Sequence, residues 1–241
     1  GSHIVVPRLT DHDKCYFFQG TDGRIIFAIP YETDFTLIGT TDKDHPDPAQ
    51  RPECTPGEQD YLLAFANQYF KRQLGREDIV WTYSGVRPLY DDGASSATAA
   101  TRDYTLKLEQ SGAPMLNVFG GKITTYRRLA ESALDKIGIA LGRDTAPWTA
   151  GVPLPGGDFP VDGTEAAMIC EGAATEHDMG RAFGATLTER EVLWLMRKEY
   201  ARTAEDVVWR RNKLGLRLKE DQVAALDDWM SREQARYAAA E

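Results

Sequence analysis

The chain has 241 residues, 42% of them apolar and 27% charged, the make-up of a globular protein with one large or two modest domains. Acidic residues outnumber basic ones by 37 to 28, for a net charge of −9. That balance argues against a general nucleic-acid binder, whose surface must be basic, while leaving room for a local pocket that takes a small anion. No apolar run approaches the roughly 18 residues of a membrane-spanning helix, and no signal peptide is recognisable. Three scattered cysteines without a C-x-x-C pair fit a reducing compartment better than a disulfide framework.

Residues 4–40 read as antiparallel strands. Ile4-Val5-Val6-Pro7 is β-branched, 15–19 and 24–31 flank the hairpin turn Gly20-Thr21-Asp22-Gly23, and 35–40 makes another strand. Such short, tightly connected strands predict a sheet with one covered face. Residues 42–56 form a loop rich in proline and acids. Asp11, His12 and Asp13, and later Asp42, Asp44 and His45, look like metal ligands only superficially. Nothing fixes their spacing, and they read as solvated loop charge.

Thr55-Pro56-Gly57-Glu58 has the form of a capping box with proline at the first helical position. It predicts a helix over 58–74 with Tyr61, Leu62, Phe65, Ala66, Tyr69, Phe70 and Leu74 on its apolar face. Residues 79–89 read as a strand with a bulge at Gly85. Residues 91–97 are a loop of small residues, and 101–108 return as a strand.

The chain is organised around Val118-Phe119-Gly120-Gly121-Lys122-Ile123-Thr124-Thr125-Tyr126-Arg127. The apolar run 115–119 predicts a short buried strand. After two glycines a helical pattern begins, with Ile123, Tyr126, Leu129, Ala130, Ala133, Leu134 and Ile137 on one face. A strand, a Gly-Gly turn and a helix start together make an anion site: glycines let backbone approach a ligand, and the first helical N–H groups are unpaired at the positive end of the dipole. Lys122 adds a full charge; Thr124 and Thr125 add hydroxyls. The pattern is neither a phosphate-binding P-loop nor a dinucleotide fingerprint, since no G-x-x-x-x-G-K-[ST] or G-x-G-x-x-G occurs. A plain turn carrying a surface lysine is the competing reading. Arg87, Arg102 and Lys122 all fall at or beside element ends in this compact stretch.

Residues 143–162 are rich in proline and glycine and read as a linker. Beyond them, 163–241 is helical in pattern, with Thr188-Glu189-Arg190-Glu191 and Thr203 with Asp206 as helix starts and a last helix over 220–236. The fold class is therefore α+β: a mixed or antiparallel sheet domain over 1–114, a returning strand–Gly-Gly-Lys–helix segment over 115–142, and a small all-α domain over 163–241.

Five stretches in register resemble the FAD-dependent, respiratory-type glycerol-3-phosphate dehydrogenases: Gly1-Ser2-His3-Ile4-Val5-Val6-Pro7-Arg8, Ile38-Gly39-Thr40-Thr41-Asp42, the run from Trp81 to Leu89, Thr101-Arg102-Asp103-Tyr104, and Phe119 to Arg127. Trp209-Arg210-Arg211-Asn212-Lys213-Leu214-Gly215 matches as well. The resemblance covers nearly the whole chain but only the carboxy-terminal portion of the family. The amino-terminal half, which holds the unit for the ADP part of FAD, has no counterpart. By the same resemblance, helical sequence of the family is absent between about Ala167 and Met168. The tripeptide Gly1-Ser2-His3 has the form of a cloning remnant, yet the family carries the same residues before Ile-Val-Val-Pro-Arg, which favours native sequence.

The resemblance implies oxidation of sn-glycerol 3-phosphate to dihydroxyacetone phosphate, with electrons passing through FAD to quinone at the inner face of the cell membrane. The chain would be cytoplasmic or peripheral on that membrane, and a homodimer is left open. By the same resemblance, Arg102 would hold the substrate phosphate, a task for which a guanidinium fork is suited. Arg87 would lie nearer the reacting carbon. His3 is the candidate base. Gly120, Gly121, Lys122, Ile123 and Thr124 would meet the flavin, with Lys122 reaching either the flavin edge or the phosphate. Three alternatives stay open: an oxidase using oxygen, a non-enzymatic module that binds an anion or a partner, and arginines that merely pair with Asp91, Asp92 or Asp103. Trp209, Arg210, Arg211 and Lys213 read either as helix-surface charge or as a contact with anionic lipid.

Overall fold

The computed structural model describes residues 1–47, 49–90, 93, 101–143, 145–153 and 169–238. The chain divides into two compact units, Gly1–Val152 and Pro153–Glu241. Asp91 and Asp92, half of the predicted linker, and the expected shortfall at Ala167–Met168 lie outside the described residues.

The first unit is built on one antiparallel sheet of β1 (Ser2–Pro7), β2 (Tyr16–Gln19), β3 (Ile25–Tyr31), β4 (Phe35–Gly39) and β5 (Trp81–Ser84), in the order β2-β3-β4-β1-β5. β1 is thus an interior strand from its first residues, so Ser2 and His3 are part of the sheet. Side chains alternate between faces. Ile4 and Val6 join Ile26 and Ile38 under α1 (Pro56–Ala66), against Leu62, Leu63, Phe65 and Ala66. His3 and Val5 fall on the opposite face. Each fully buried aliphatic side chain here contributes about 1.5–3 kcal/mol.

α1 starts as predicted: Thr55 accepts from the Glu58 N–H, and the Glu58 carboxylate accepts from the Thr55 N–H at 3.0 Å. It ends at Ala66, eight residues short of the predicted Leu74. The cause is Asn67, whose side chain accepts from the Leu74 N–H at 2.8 Å and donates to the Leu74 carbonyl at 3.0 Å, so that the chain folds back on itself. Phe70 and Leu74 still pack against the same core. The predicted strand over 79–89 is likewise shorter. Past β5, the Leu89 N–H donates to the Arg87 carbonyl at 2.9 Å, a tight turn centred on Pro88, which has no N–H for a ladder.

β6 (Tyr104–Glu109) and β7 (Met115–Gly120) form a separate antiparallel ribbon, followed by a 3-10 turn (Ile123–Thr125) and α2 (Tyr126–Leu141). The run 115–119 is a strand, but it is not buried: Met115 is 51% and Val118 49% exposed. A two-stranded ribbon has one partner per strand, and no other described element covers its outer face. The predicted apolar stripe of α2 is open for the same reason, with Ile123 89% exposed. The inner side of α2 is tied down by Tyr104 and Ser132, whose hydroxyls are 3.1 Å apart. Thr149, within the sequence read as linker, docks on α2 through Glu131 and Arg127.

The second unit is not all-α. A short hairpin, β8 (Ala182–Gly184) and β9 (Leu187–Thr188), precedes α3 (Glu189–Lys198), a π-helical turn (Asp206–Arg211), a 3-10 turn (Leu214–Leu216) and α4 (Glu220–Ala238). The hairpin supplies core residues: Phe183 and Leu187 pack with Val192, Val208, Leu226 and Trp229. No helix among the described residues is long and apolar enough to cross a membrane.

Candidate functional site

Chemistry-bearing residues collect at one end of the five-stranded sheet, where β1 and β5 run past the amino terminus of α1. A cleft of about 970 Å³ opens there, and among the residues lining it are Asp42, Glu58, Ser84, Arg87, Tyr90 and Arg102. Arg87 and Arg102 are therefore brought to one cleft, although fifteen positions separate them and Arg102 comes from beyond β5. Arg87 donates to Asp42 at 2.9 Å; of the acids considered from the sequence, Asp91 and Asp92 lie outside the described residues. Arg102 is exposed, with no hydrogen-bond or ion-pair partner among the described residues. Lys122 and His3 are not among the side chains lining this cleft.

The floor of the cleft is a polar network centred on Glu58. Its carboxylate accepts from Ser2 at 2.8 Å, from Thr41 at 2.7 Å, and from both the backbone and hydroxyl of Thr55. Ser2 also shares a hydrogen bond with Ser84 at 2.8 Å, and its N–H donates to the Thr41 hydroxyl. One carboxylate thus ties together the start of β1, the end of β4, the end of β5 and the cap of α1. Burial pushes its pKa upward, but the hydrogen bonds from Thr41, Thr55 and Ser2 outweigh this and hold it down to about 2. The sequence showed Glu58 only as a helix cap, because its other donors lie up to 56 positions away.

His3 sits in β1 directly opposite Gly39 of β4 and Tyr83 of β5. Its ring stacks on Tyr83, with centroids 4.7 Å apart and planes 4° from parallel. Burial, then the charges of the Gly1 ammonium and Arg87, lower its pKa to about 4. Where residues precede Gly1 in a longer polypeptide, the ammonium becomes an amide and that contribution vanishes. Several of the other histidines and loop acids have protein partners, Asp42 with Arg87 and His45 with the Gln50 carbonyl among them. His12 meets the Tyr16 hydroxyl at 3.0 Å, and Asp13 pairs with Arg8 at 2.7 Å.

The Gly-Gly-Lys turn lies against the segments that carry the arginines. Gly120 is paired with Tyr104 across the ribbon, and a Cβ on it would stand 3.1 Å from the Asp103 carbonyl oxygen and 3.6 Å from the Tyr90 nitrogen. Gly120 and Gly121 have φ of +67° and +95°, a region L side chains rarely adopt. Lys122, Ile123 and Thr124 are exposed. The helix does not begin directly after the glycines, as the periodicity suggested. A 3-10 turn intervenes, held by Thr125, whose hydroxyl donates to the Lys122 carbonyl at 3.0 Å, so that hydroxyl serves the turn. A bare, side-chain-free turn flanked by a cation and by open apolar residues suits the edge of a large planar group such as a flavin.

In the second unit, the cations of the Trp209–Gly215 motif have protein partners. Arg210 pairs with Asp206 at 2.8 Å and Glu205 at 3.1 Å, Arg211 lies 3.8 Å from Glu199, and the Lys213 ammonium donates to the Trp209 carbonyl.

Comparison with known proteins agrees with this geometry. The chain is 40% identical to the aerobic glycerol-3-phosphate dehydrogenase of Escherichia coli, over 95% of its own length and 52% of the relative's. It is 39% identical to the D-erythritol 1-phosphate dehydrogenase of Brucella abortus, over 95% of its length and 51% of the relative's. Its fold matches the crystal structure of glycerol-3-phosphate dehydrogenase from Bacillus halodurans complexed with FAD, with a TM-score of 0.71, 24% identity, and coverage of 96% of this chain and 52% of that one. The chain thus spans about half the length of the curated relatives it matches. Residues 1–127 match the profile of the FAD dependent oxidoreductase family, DAO, and the chain belongs to that family.

Proposed function

We propose that the protein containing these residues oxidises the secondary alcohol of glycerol 3-phosphate to the ketone, giving dihydroxyacetone phosphate, with FAD as cofactor and quinone as the final acceptor at a membrane surface. The observation that carries this reading is the presence of Arg87 and Arg102 in one cleft that Leu89 and Tyr90 also line, with Gly120 packed against the backbone of Tyr90, Pro88 and Asp103.

FAD, when bound, supplies the hydride acceptor. The residues of this chain do the rest. Arg102 holds the phosphate through its guanidinium fork. Arg87 stands closer to the carbon that reacts, where its charge favours the alkoxide-like oxygen of the transition state. Its ion pair with Asp42 aims the guanidinium before the ligand arrives. His3 accepts the hydroxyl proton; burial lowers its pKa, so it is neutral and proton-accepting at physiological pH, and a nearby phosphate dianion raises its basicity. Gly120, Gly121, Lys122, Ile123 and Thr124 face the flavin, with Lys122 countering negative charge at its edge.

The similarity to a D-erythritol 1-phosphate dehydrogenase supports a polyol phosphate as the substrate class and makes erythritol 1-phosphate the natural competitor. The test uses the complete reading frame, purified with FAD and mixed anaerobically with each polyol phosphate. Glycerol 3-phosphate is expected to bleach the flavin absorbance, and a quinone analogue to restore it. Absence of bleaching by any polyol phosphate would overturn the proposal. Faster bleaching by erythritol 1-phosphate would move the substrate to the longer polyol, and recovery only with oxygen and peroxide formation would identify an oxidase.

A further inference from the structure

We propose that Gly39 and Tyr83 are positioning residues that clamp the His3 imidazole edge-on and so select Nε2 as the nitrogen offered to the substrate hydroxyl. The inference deepens the reading above and rests on it for the role of His3.

Three strands make the clamp. His3 of the interior strand β1 is the cross-strand neighbour of Gly39 on one side and of Tyr83 on the other. On the Gly39 side the imidazole occupies the space a side chain would need. A Cβ at Gly39 would stand 2.1 Å from His3 Cδ2, 2.6 Å from Cγ and 2.7 Å from Nε2, all shorter than any real contact. On the Tyr83 side the ring is covered by a parallel aromatic face at 4.7 Å, itself backed by Trp81 at 5.2 Å. An imidazole held between backbone and phenol cannot turn about its Cβ–Cγ bond without displacing one of them.

This arrangement treats the two nitrogens differently. Nδ1 is sealed from solvent and has no hydrogen-bond partner among the described residues. Nε2 is the nitrogen that remains for a ligand. Aromatic stacking of this kind adds to simple burial and favours one orientation of the ring several-fold. The charged groups that act on the imidazole are the Gly1 ammonium and Arg87, and the remaining titratable neighbour is Tyr83 itself, whose hydroxyl pKa is raised by burial.

The test uses the complete FAD-containing protein labelled at histidine Cε1, and reads both the His3 titration by NMR and the pH dependence of kcat and KM. Tyr83→Phe keeps the aromatic face and is expected to leave both unchanged. Tyr83→Leu removes the face. It should move the His3 midpoint up toward 6.5, carry the acid limb of kcat with it, and lower kcat roughly ten- to hundredfold, with KM for glycerol 3-phosphate within about twofold. Gly39→Ala should displace the ring and act in the same direction. If Tyr83→Leu loses its FAD, Tyr83→Met takes its place. A Tyr83→Leu protein with an unchanged His3 titration and unchanged kcat would overturn the clamp. If instead the titration moves as expected while His3→Gln leaves kcat intact, the clamp stands and the assignment of His3 as the base fails.

Discussion

Arg87 and Asp42 form an ion pair of 2.9 Å at the cleft that also holds Arg102, joining the end of the Ile38–Asp42 motif to the end of the Trp81–Leu89 motif. Both side chains are substantially solvated, so the pair contributes little to stability, on the order of 0–1 kcal/mol. Its value is orientation, since the guanidinium is aimed before a ligand arrives. Asp42→Asn is therefore expected to leave the urea midpoint nearly unchanged while raising KM for glycerol 3-phosphate several-fold in the complete protein. Arg87→Lys, which keeps the charge and loses the fork, should lower kcat/KM by roughly 10²–10³, the scale of one preorganised transition-state donor. Steady-state kinetics beside denaturant titration separate the two effects, and equal losses of stability and activity in Asp42→Asn would show the pair to be merely structural.

Arg102 stands in a different position. No described residue balances its charge, so its removal relieves rather than breaks a pair. Arg102→Ala should keep full stability and raise KM for the phosphate ester by roughly ten- to a hundredfold, the cost of losing charge-assisted hydrogen bonds of about 1.5–3 kcal/mol. It should also abolish discrimination between glycerol 3-phosphate and glycerol. A KM unchanged in Arg102→Ala would remove this residue from the phosphate site.

The 241 residues span about half the length of the curated relatives they match, and no G-x-G-x-x-G occurs among them; the proposed flavin contacts are confined to the turn from Gly120 to Thr124. The isolated chain is expected to bind FAD weakly and to show no turnover. Fluorescence titration of FAD with the purified chain checks this, and stoichiometric, tight yellow binding would contradict it.

Local rules made much of the fold readable. The hairpin turn at Gly20–Gly23, the Thr55–Glu58 cap and the β-branched Ile4–Val6 each act over a few residues, and the structure has β2, β3, α1 and β1 where those signals stand. What failed was longer in range. Asn67 ends α1 by capturing Leu74, seven residues on, a bond no periodicity reveals. The stripe on α2 reads as a core-facing surface, but whether a surface is covered depends on what lies against it, and Ile123 is almost fully exposed. In the site, the arginines were legible because their chemistry is distinctive at each position. Asp42 read as loop charge and Glu58 as a helix cap, and Gly39 and Tyr83 only as parts of longer motifs, because the place of each in the network depends on neighbours about 17 to 80 positions away.

Acid stability joins the two ends of this network. His3 has a pKa lowered to about 4, so between about 6.5 and 4 the unfolded chain takes up a proton that the folded chain refuses, and stability falls as pH falls through that window. Glu58, lowered from 4.5 to about 2, acts in the same direction further down: its contribution is complete above about 4.5 and is lost as pH drops toward 2. The first unit should therefore lose stability in two overlapping steps. His3→Gln should flatten the upper step and leave the lower one; Glu58→Gln should flatten the lower one. Glu58→Gln should also cost about 1–2 kcal/mol at pH 7, because a neutral amide satisfies the Thr55 cap and the Ser2 and Thr41 hydroxyls less well than a carboxylate. Urea midpoints measured from pH 7.5 to 3 on the parent and both variants decide the matter. If the slope between pH 6.5 and 4 is the same with and without His3, the imidazole is not held neutral by the fold.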